Sequence, residues 1–423
     1  MDILASLPKK SPSVMAVLTL VLIASTLSAC DSNPIEKIQS LTEEKYPVAN
    51  MPDEPLETPL EINIEPKRLA MTSSWSAGVK DDGTLWTWGT SGLLRETKTG
   101  QDPTPRQVKG VNDAVAVSGD GSHMLLLRKD GTVWGWGSNN EYQIDPNDKD
   151  TFIEELRKIE GIKNIVDIAA GEMNSIFLDN DGKVYVLGNN EHAWVNGIRE
   201  VEVLSEPTKV ANLENIIRIE FQNGVLLALN KKGELFSIGK AEYALGRSIE
   251  LSQDPDFEYY PAQKVQLPNK VVDFYASSSH AMALLEDGRV SVWGSNGSGQ
   301  LAMKATGDIL IPQKHEKLHK IINIDESSAI TENGDLYVWG KYGFGENRNS
   351  VSTRTYDKPF LIMQNVKPIQ LIDGYLSYAV ITSDGNVWYW NWNEKGQRGT
   401  GEVTESMEKD YVLTPEKSLF TLN

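Results

Sequence analysis

The sequence predicts an all-β domain of seven repeated antiparallel units, and three observations carry that expectation. A turn glycine recurs at Gly83, Gly131, Gly182, Gly233, Gly288, Gly334 and Gly385, in steps of 48, 51, 51, 55, 46 and 51 residues. Six residues after each comes Gly89, Gly137, Gly188, Gly239, Gly294, Gly340 and, in the last copy, Asn391. Around these marks the apolar residues alternate with a period of two. A repeat near 50 residues means stacked or radially arranged supersecondary units rather than one ordinary core. The period of two means strands.

The first strand of each hairpin is read from the position four residues before the turn glycine. It holds Val79, Leu127, Leu178, Leu229, Leu284, Ile330 and Ile381, all aliphatic. The turns are Asp82-Gly83, Asp130-Gly131, Asp181-Gly182, Lys232-Gly233, Asp287-Gly288, Asn333-Gly334 and Asp384-Gly385, the residue pairs that tight hairpins favour. The second strand carries rings in two columns. One is Trp86, Trp134, Tyr185, Phe236, Ser291, Tyr337 and Trp388; the other is Trp88, Trp136, Leu187, Ile238, Trp293, Trp339 and Trp390. Eight of the eleven tryptophans fall in these columns. Such regularity points to packing between neighbouring sheets rather than to ligand stacking.

Before the repeats the chain has a different character. Residues 14–26 form an apolar run of 13 behind Lys9 and Lys10, too short for a permanent membrane span and laid out like a secretory signal. Leu27-Ser28-Ala29-Cys30 follows and resembles the bacterial lipoprotein signal, in which the cysteine becomes the lipidated first residue. Cys30 is the only cysteine, so the mature chain is expected to have no disulfide. The expected organisation is a signal peptide over 1–29, a lipidated N-terminus and Pro-rich acidic tether over 30–66, and the repeat domain over 67–423. Within the tether, Leu60-Glu61-Ile62-Asn63-Ile64 alternates as a half-buried strand does, and reads as an extra strand for the first or last sheet.

The repeat resembles that of the regulator of chromosome condensation family. Its clearest copy runs from Ser279-His280 through Asp287-Gly288 and Trp293-Gly294 to Asn296, Gly299, Gln300 and Leu301. A second runs from Ser122-His123 to Trp136-Gly137-Ser138-Asn139-Asn140, and the last copy keeps Asn393, Gly396, Gln397 and Gly399. The resemblance implies a seven-bladed β-propeller over about residues 69 to 423. The resemblance of residues 414–420 to residues 104–108 leads us to expect the two chain ends to complete one blade together. The family's histidine position reads Trp75, His123, Asn174, Val225, His280, Glu326 and Ser377, so only two copies keep it. Both histidines are expected to be hydrogen-bonded within their blades.

Chemistry-bearing motifs are sparse. A formal charge of −18 argues against nucleic acid, because neutralising phosphates needs clustered Lys and Arg. His315 and His319 would share a face if residues 313–320 were helical, but only Glu316 is near as a further ligand, so they read as surface histidines. No nucleophile motif, phosphate-cradling loop or zinc spacing occurs. No catalytic, metal or cofactor-binding residue is therefore assigned, and the family's nucleotide-exchange and chromatin-docking roles do not suit an exported acidic lipoprotein. The irregular segments remain: residues 145–157, read as a short helix; residues 246–263; and a loop over 342–359. Insertions at one phase of a repeat project from one face. Asp254, Asp256, Phe257, Tyr259 and Tyr260 form an acidic and aromatic candidate for binding another envelope or extracellular protein. The expected function is a membrane-anchored extracytoplasmic scaffold, with a cell-envelope polysaccharide-binding module or hydrolase as the alternative.

Overall fold

The computed structural model describes residues 53–90, 94, 101–190, 201–222, 224–239, 243–248, 260–304, 307–345, 351–374, 377–403 and 414–423. Cys30, Asp254, Asp256, Phe257 and Tyr259 lie outside the described residues, as do the signal peptide and most of the tether.

The described strands form seven four-stranded antiparallel sheets, each made of four strands consecutive in sequence. The innermost strands are Leu69–Met71, Ala114–Asp120, Ile165–Ala170, Ile216–Gln222, Val271–Ala276, Ile321–Asp325 and Pro368–Gly374. Each touches the next, and the last touches the first, so the sheets are blades of a closed seven-bladed propeller. Strand direction alternates within a blade. The hairpins between second and third strands therefore open on the same face as the links between blades, here the turn face. The links from first to second and from third to fourth strands open on the opposite, loop face.

Local chemistry explains the hairpins. The Gly83 amide donates to the Lys80 carbonyl at 3.0 Å, and the Lys80 amide to the Thr84 carbonyl at 3.0 Å. Gly83 takes φ +78°, as the last residue of a three-residue hairpin loop does. The Asp82 carboxylate accepts from the Thr84 amide and hydroxyl at 2.9 and 2.6 Å. These bonds hold its pKa below the usual carboxylate range. Asp130 and Thr132 repeat the arrangement. The stop at the end of the third strand has a steric cause: a Cβ on Gly89 would lie 2.5 Å from the Ser74 carbonyl oxygen. Asn391 takes that place in the last blade with φ +76°.

The aliphatic column from Val79 to Ile381 is buried throughout. The two ring columns are not equivalent. Trp88, Trp136, Trp293, Trp339 and Trp390 are fully buried, whereas Trp86, Trp134, Tyr185, Phe236 and Trp388 are half-exposed toward the turn face. Three buried indoles reach back to the preceding blade. Trp293 donates to the Ala244 carbonyl at 2.7 Å, Trp339 to Gln300 at 2.9 Å and Trp88 to Gln397 at 2.7 Å. The last bond joins the first blade to the seventh.

Ring closure differs from the sequence expectation. No blade is shared, because blade 1 (Leu69–Met71, Trp75–Val79, Leu85–Gly89, Asp102–Gln107) and blade 7 each contain only their own strands. Thr104-Pro105 and Thr414-Pro415 look alike because each accompanies the fourth strand of its own blade. The ends meet by packing instead: the Asp81 amide donates to the Leu422 carbonyl at 2.9 Å, and Trp88 stacks on Phe420 at 5.1 Å.

Three segments also depart from expectation. Residues 60–64 join no sheet; they lie as a strap on blade 5, where the Leu60 amide donates to the Glu286 carbonyl at 2.7 Å. Residues 145–157 are a turn followed by strand Phe152–Lys158, with Arg157 clamped to Asp145 and Asp148 at 2.9 and 2.7 Å. The loop expected over 342–359 is a β-ribbon, made by Leu336–Gly345 pairing with Val351–Met363 as far as Gly345 opposite Val351.

Candidate binding face and central channel

The third-to-fourth connections are the variable part of each repeat, and strand polarity puts all of them on the loop face. In blade 4, residues Tyr243–Leu245 form a short 3₁₀ turn whose Leu245 carbonyl accepts from the Ser237 hydroxyl at 2.7 Å. Arg247 donates to the Pro261 carbonyl at 2.8 Å and ties the loop base to the fourth strand. Tyr260 is half-buried against Val225, Ala244 and Leu245, so part of its ring is engaged in packing rather than free for a partner. The blade 6 ribbon leaves from the same face.

The turn face is covered differently. Asp53 is bonded to Lys314 at 2.8 Å, the Leu56 amide to the Asp287 carbonyl at 2.9 Å and the Asn63 amide to the Val272 carbonyl at 3.0 Å. The strap thus runs over blade 5 to the axis, where Lys67 enters the channel. There Lys67 meets Glu220 of blade 4 at 2.7 Å, and its carbonyl accepts from the Val117 amide of blade 2 at 2.8 Å. Arg218 pairs with Asp273 and, at 3.1 Å, with Glu220. Asp167 accepts from the Ile219 amide of the next blade at 2.9 Å. Together these groups line a cavity of about 130 Å³.

Electrostatics in the channel follow from low hydration and crowded carboxylates. Burial disfavours the Lys67 charge, but Glu220 and Asp167 outweigh it and raise its pKa. Burial also opposes ionisation of Glu220, yet Lys67 and Arg218 hold its pKa low. Burial pushes Asp167 up to about 6 against the pull of Lys67. Burial and then Asp373 raise Asp325 well above its ordinary value, and burial and then Glu220 raise Asp373, so these two carboxyls resist ionisation more than free ones do. The channel groups satisfy one another. They tie the strap to blades 2 and 4 and join blades 3, 4 and 5, and among the described residues no group of three or more His, Cys, Asp or Glu side chains is placed to hold a metal ion.

The histidines are structural, and two expectations about them need correction. His123 and His280 are buried and hydrogen-bonded as expected; His280 Nδ1 bonds the Ser277 hydroxyl of its own blade at 2.8 Å, whereas His123 reaches across to the next blade. The Ser175 hydroxyl donates to the Gln143 carbonyl at 2.6 Å, so His123 Nε2–H donates to Ser175 at 2.9 Å. His280 Nε2 faces the Glu326 carbonyl at 3.4 Å. Burial lowers their pKa values to about 3 and about 4. His315 and His319 are fully buried, not on the surface. Their segment is a strand end and turn: His315 Nδ1 accepts from the Lys317 and Leu318 amides, and His319 Nε2–H donates to the Glu316 carbonyl at 2.7 Å. Apolar His-flanking residues such as Leu318 were the sequence sign of this burial.

Comparison with known proteins agrees with this architecture. The family model for the regulator of chromosome condensation (RCC1) repeat matches residues 114–143 and 271–300. Ultraviolet-B receptor UVR8 of Arabidopsis thaliana is 24% identical over 58% of this chain and 57% of its own length. Protein RCC1 of Candida albicans is 28% identical over 58% of this chain and 58% of its own. The chain therefore spans a little over half the length of these curated relatives. Among solved structures, Prp20p from Saccharomyces cerevisiae superposes with a TM-score of 0.63 at 19% identity, covering 85% of this chain and 87% of that one. Human WBSCR16 gives 0.64 at 18% identity, covering 79% and 90%.

Proposed function

We propose that this chain, a seven-bladed propeller of the RCC1-type repeat family, is held outside the cytoplasmic membrane by lipidated Cys30 and binds another envelope or extracellular protein through its loop face. The observation supporting this reading is the asymmetry of the disc. One face is built from near-identical hairpins and a docked strap, whereas the other carries every variable connection and the blade 6 ribbon. Binding residues sit preferentially on loops that a rigid scaffold positions. Prp20p, with the same fold, was studied for its binding to Gsp1p and histones, so a propeller of this type serves there as a protein-binding platform. The anchor reading rests on the apolar run and Leu27-Ser28-Ala29-Cys30, and multiple acyl chains on one residue anchor firmly.

Two arms test this. Membrane fractionation of Cys30→Ser should release the protein or block its processing; full retention would remove the anchor. A crosslinking pull-down from the native cells should recover a specific protein partner. Repeating it with Phe257, Tyr259 and Tyr260 changed to Ala tests the blade 4 loop: an unchanged partner list removes that loop as the site. Glycan turnover by the purified protein would favour the polysaccharide alternative.

A further inference from the structure

The loop face over blades 2 and 3 presents three adjacent dipeptides, each joining a carboxylate to an exposed apolar side chain: Glu141-Tyr142, Glu172-Met173 and Val201-Glu202. Tyr142, Met173 and Val201 are 38%, 43% and 38% exposed. One pair of residues gathers them. The Asn189 side chain donates to Glu141 at 2.9 Å, and its amide to the Met173 carbonyl at 3.1 Å. The Asn190 side chain donates to the Val201 carbonyl at 2.8 Å, and its amide to the Glu202 carbonyl at 2.6 Å. These four bonds bring the three dipeptides together on the loop face across two blades.

Tyr142 is held there against its backbone preference. In the equivalent turns of blades 5 and 7 the position is Gly299 and Gly396, with φ +68° and +75°. Tyr142 occupies it with φ +57°, a left-handed conformation that is costly for a bulky side chain. The turn itself does not need the ring: the Tyr142 amide closes it on the Asn139 carbonyl at 3.0 Å, as the Gly299 and Gly396 amides close theirs on Asn296 and Asn393. An aromatic replaces the favoured glycine and stands in solvent.

Resting on the scaffold reading, we propose that this surface is the docking site for a protein segment in which an apolar anchor is flanked by Lys and Arg. Aromatic and Met side chains supply the desolvated centre of such contacts. The interleaved carboxylates select a cationic partner by complementarity and raise its association rate. A carboxylate beside each apolar contact disfavours an anionic or wholly apolar partner, because each would leave charge unpaired on docking.

The test titrates the full-length protein with two synthetic peptides that share a Phe-Leu core, one flanked by Lys and Arg and the other by Asp and Glu. The basic peptide should bind, weaken steeply with salt, and lose about 10-fold or more in affinity with the Tyr142→Gly, Met173→Ser double variant. Glu141→Gln, Glu172→Gln and Glu202→Gln together should slow its association, whereas Glu154→Gln with Glu160→Gln should not. Tyr142→Gly alone should keep or raise the melting temperature, since glycine suits the turn. A melting temperature lowered by Tyr142→Gly makes the ring structural and overturns the proposal. So does unchanged affinity in the double variant, or equal binding of both peptides. Any of these outcomes leaves the scaffold reading to its own pull-down, which does not depend on this surface.

Discussion

The two faces of the disc obey different rules. On the turn face a hairpin recurs around the ring with its glycine in the same conformation, and in blades 1, 2, 5 and 7 the Asp before that glycine accepts from its own backbone. On the loop face the third-to-fourth connections vary widely in length, yet several of them present a carbonyl to the next blade. The carbonyls of Gln143, Ala244, Gln300 and Gln397 accept, respectively, from Ser175, Trp293, Trp339 and Trp88 of the following blade. Blade 3, which has Leu187 in place of the indole, uses the Ser175 hydroxyl instead. The lesson is that the repeat preserves the points where blades meet, and sequence freedom is concentrated between those points, on one side.

This contrast can be broken at its strongest point first. Trp88→Ala removes a fully buried ring and the bond to Gln397 at the seam between blades 1 and 7, and should cost about 3–5 kcal/mol in chemical unfolding. A loss under about 1 kcal/mol would mean that the seam does not hold the ring closed. Next, Lys67→Met should cost about 3 kcal/mol, because it removes the cation that offsets both Glu220 and Asp167 and leaves Arg218 alone among the channel carboxylates that face it. Adding Glu220→Gln should recover part of the loss, and failure to do so would point to lost strap packing instead.

A smaller effect is readable in pH. Asp167 has a folded-state pKa of about 6, above its ordinary value of 3.8, so the folded state binds the extra proton between these limits. Its contribution to stability therefore falls as pH rises from about 4 to about 6. Buried His123, His280 and His315 work in the opposite direction, since their lowered pKa values favour the fold when they are neutral. Comparing Asp167→Asn with the wild type cancels the histidines. The variant should gain about 1–2 kcal/mol relative to wild type between pH 5 and pH 7.5. A flat difference would show that Asp167 is ionised throughout. The smallest effect belongs to the loop face: replacing residues 341–355 of the ribbon by a short turn should change stability by about 0.5 kcal/mol or less, as expected of surface changes away from the core.

What was legible in the sequence follows the same division. The Asp-Gly turns, the glycine stop and the aliphatic column were readable because each depends on residues within one hairpin. The indole column was recognisable as packing, but the carbonyls that Trp88, Trp293 and Trp339 seek lie in another blade. The strap was not legible because Lys67 finds Glu220 153 residues away, and no local pattern encodes that meeting. The ribbon was read as a loop because its glycines and polar residues carry no alternating apolar face. His315 and His319 were placed on the surface by composition, although Leu318 between them marked a buried turn. Tyr142 escaped notice because its peculiarity, a ring where the other turns have glycine, depends on aligning copies that have otherwise drifted apart.

The central claim, that the variable face binds and the regular face frames, is tested most directly by photocrosslinking in the native cells. A photoreactive amino acid is placed singly at Tyr142, Tyr243 and Thr353 on the loop face, and at Asp82, Asp130 and Asp384 on the turn face. A discrete crosslinked protein is expected from loop-face positions and none from turn-face positions. Crosslinks confined to the turn-face positions would contradict it.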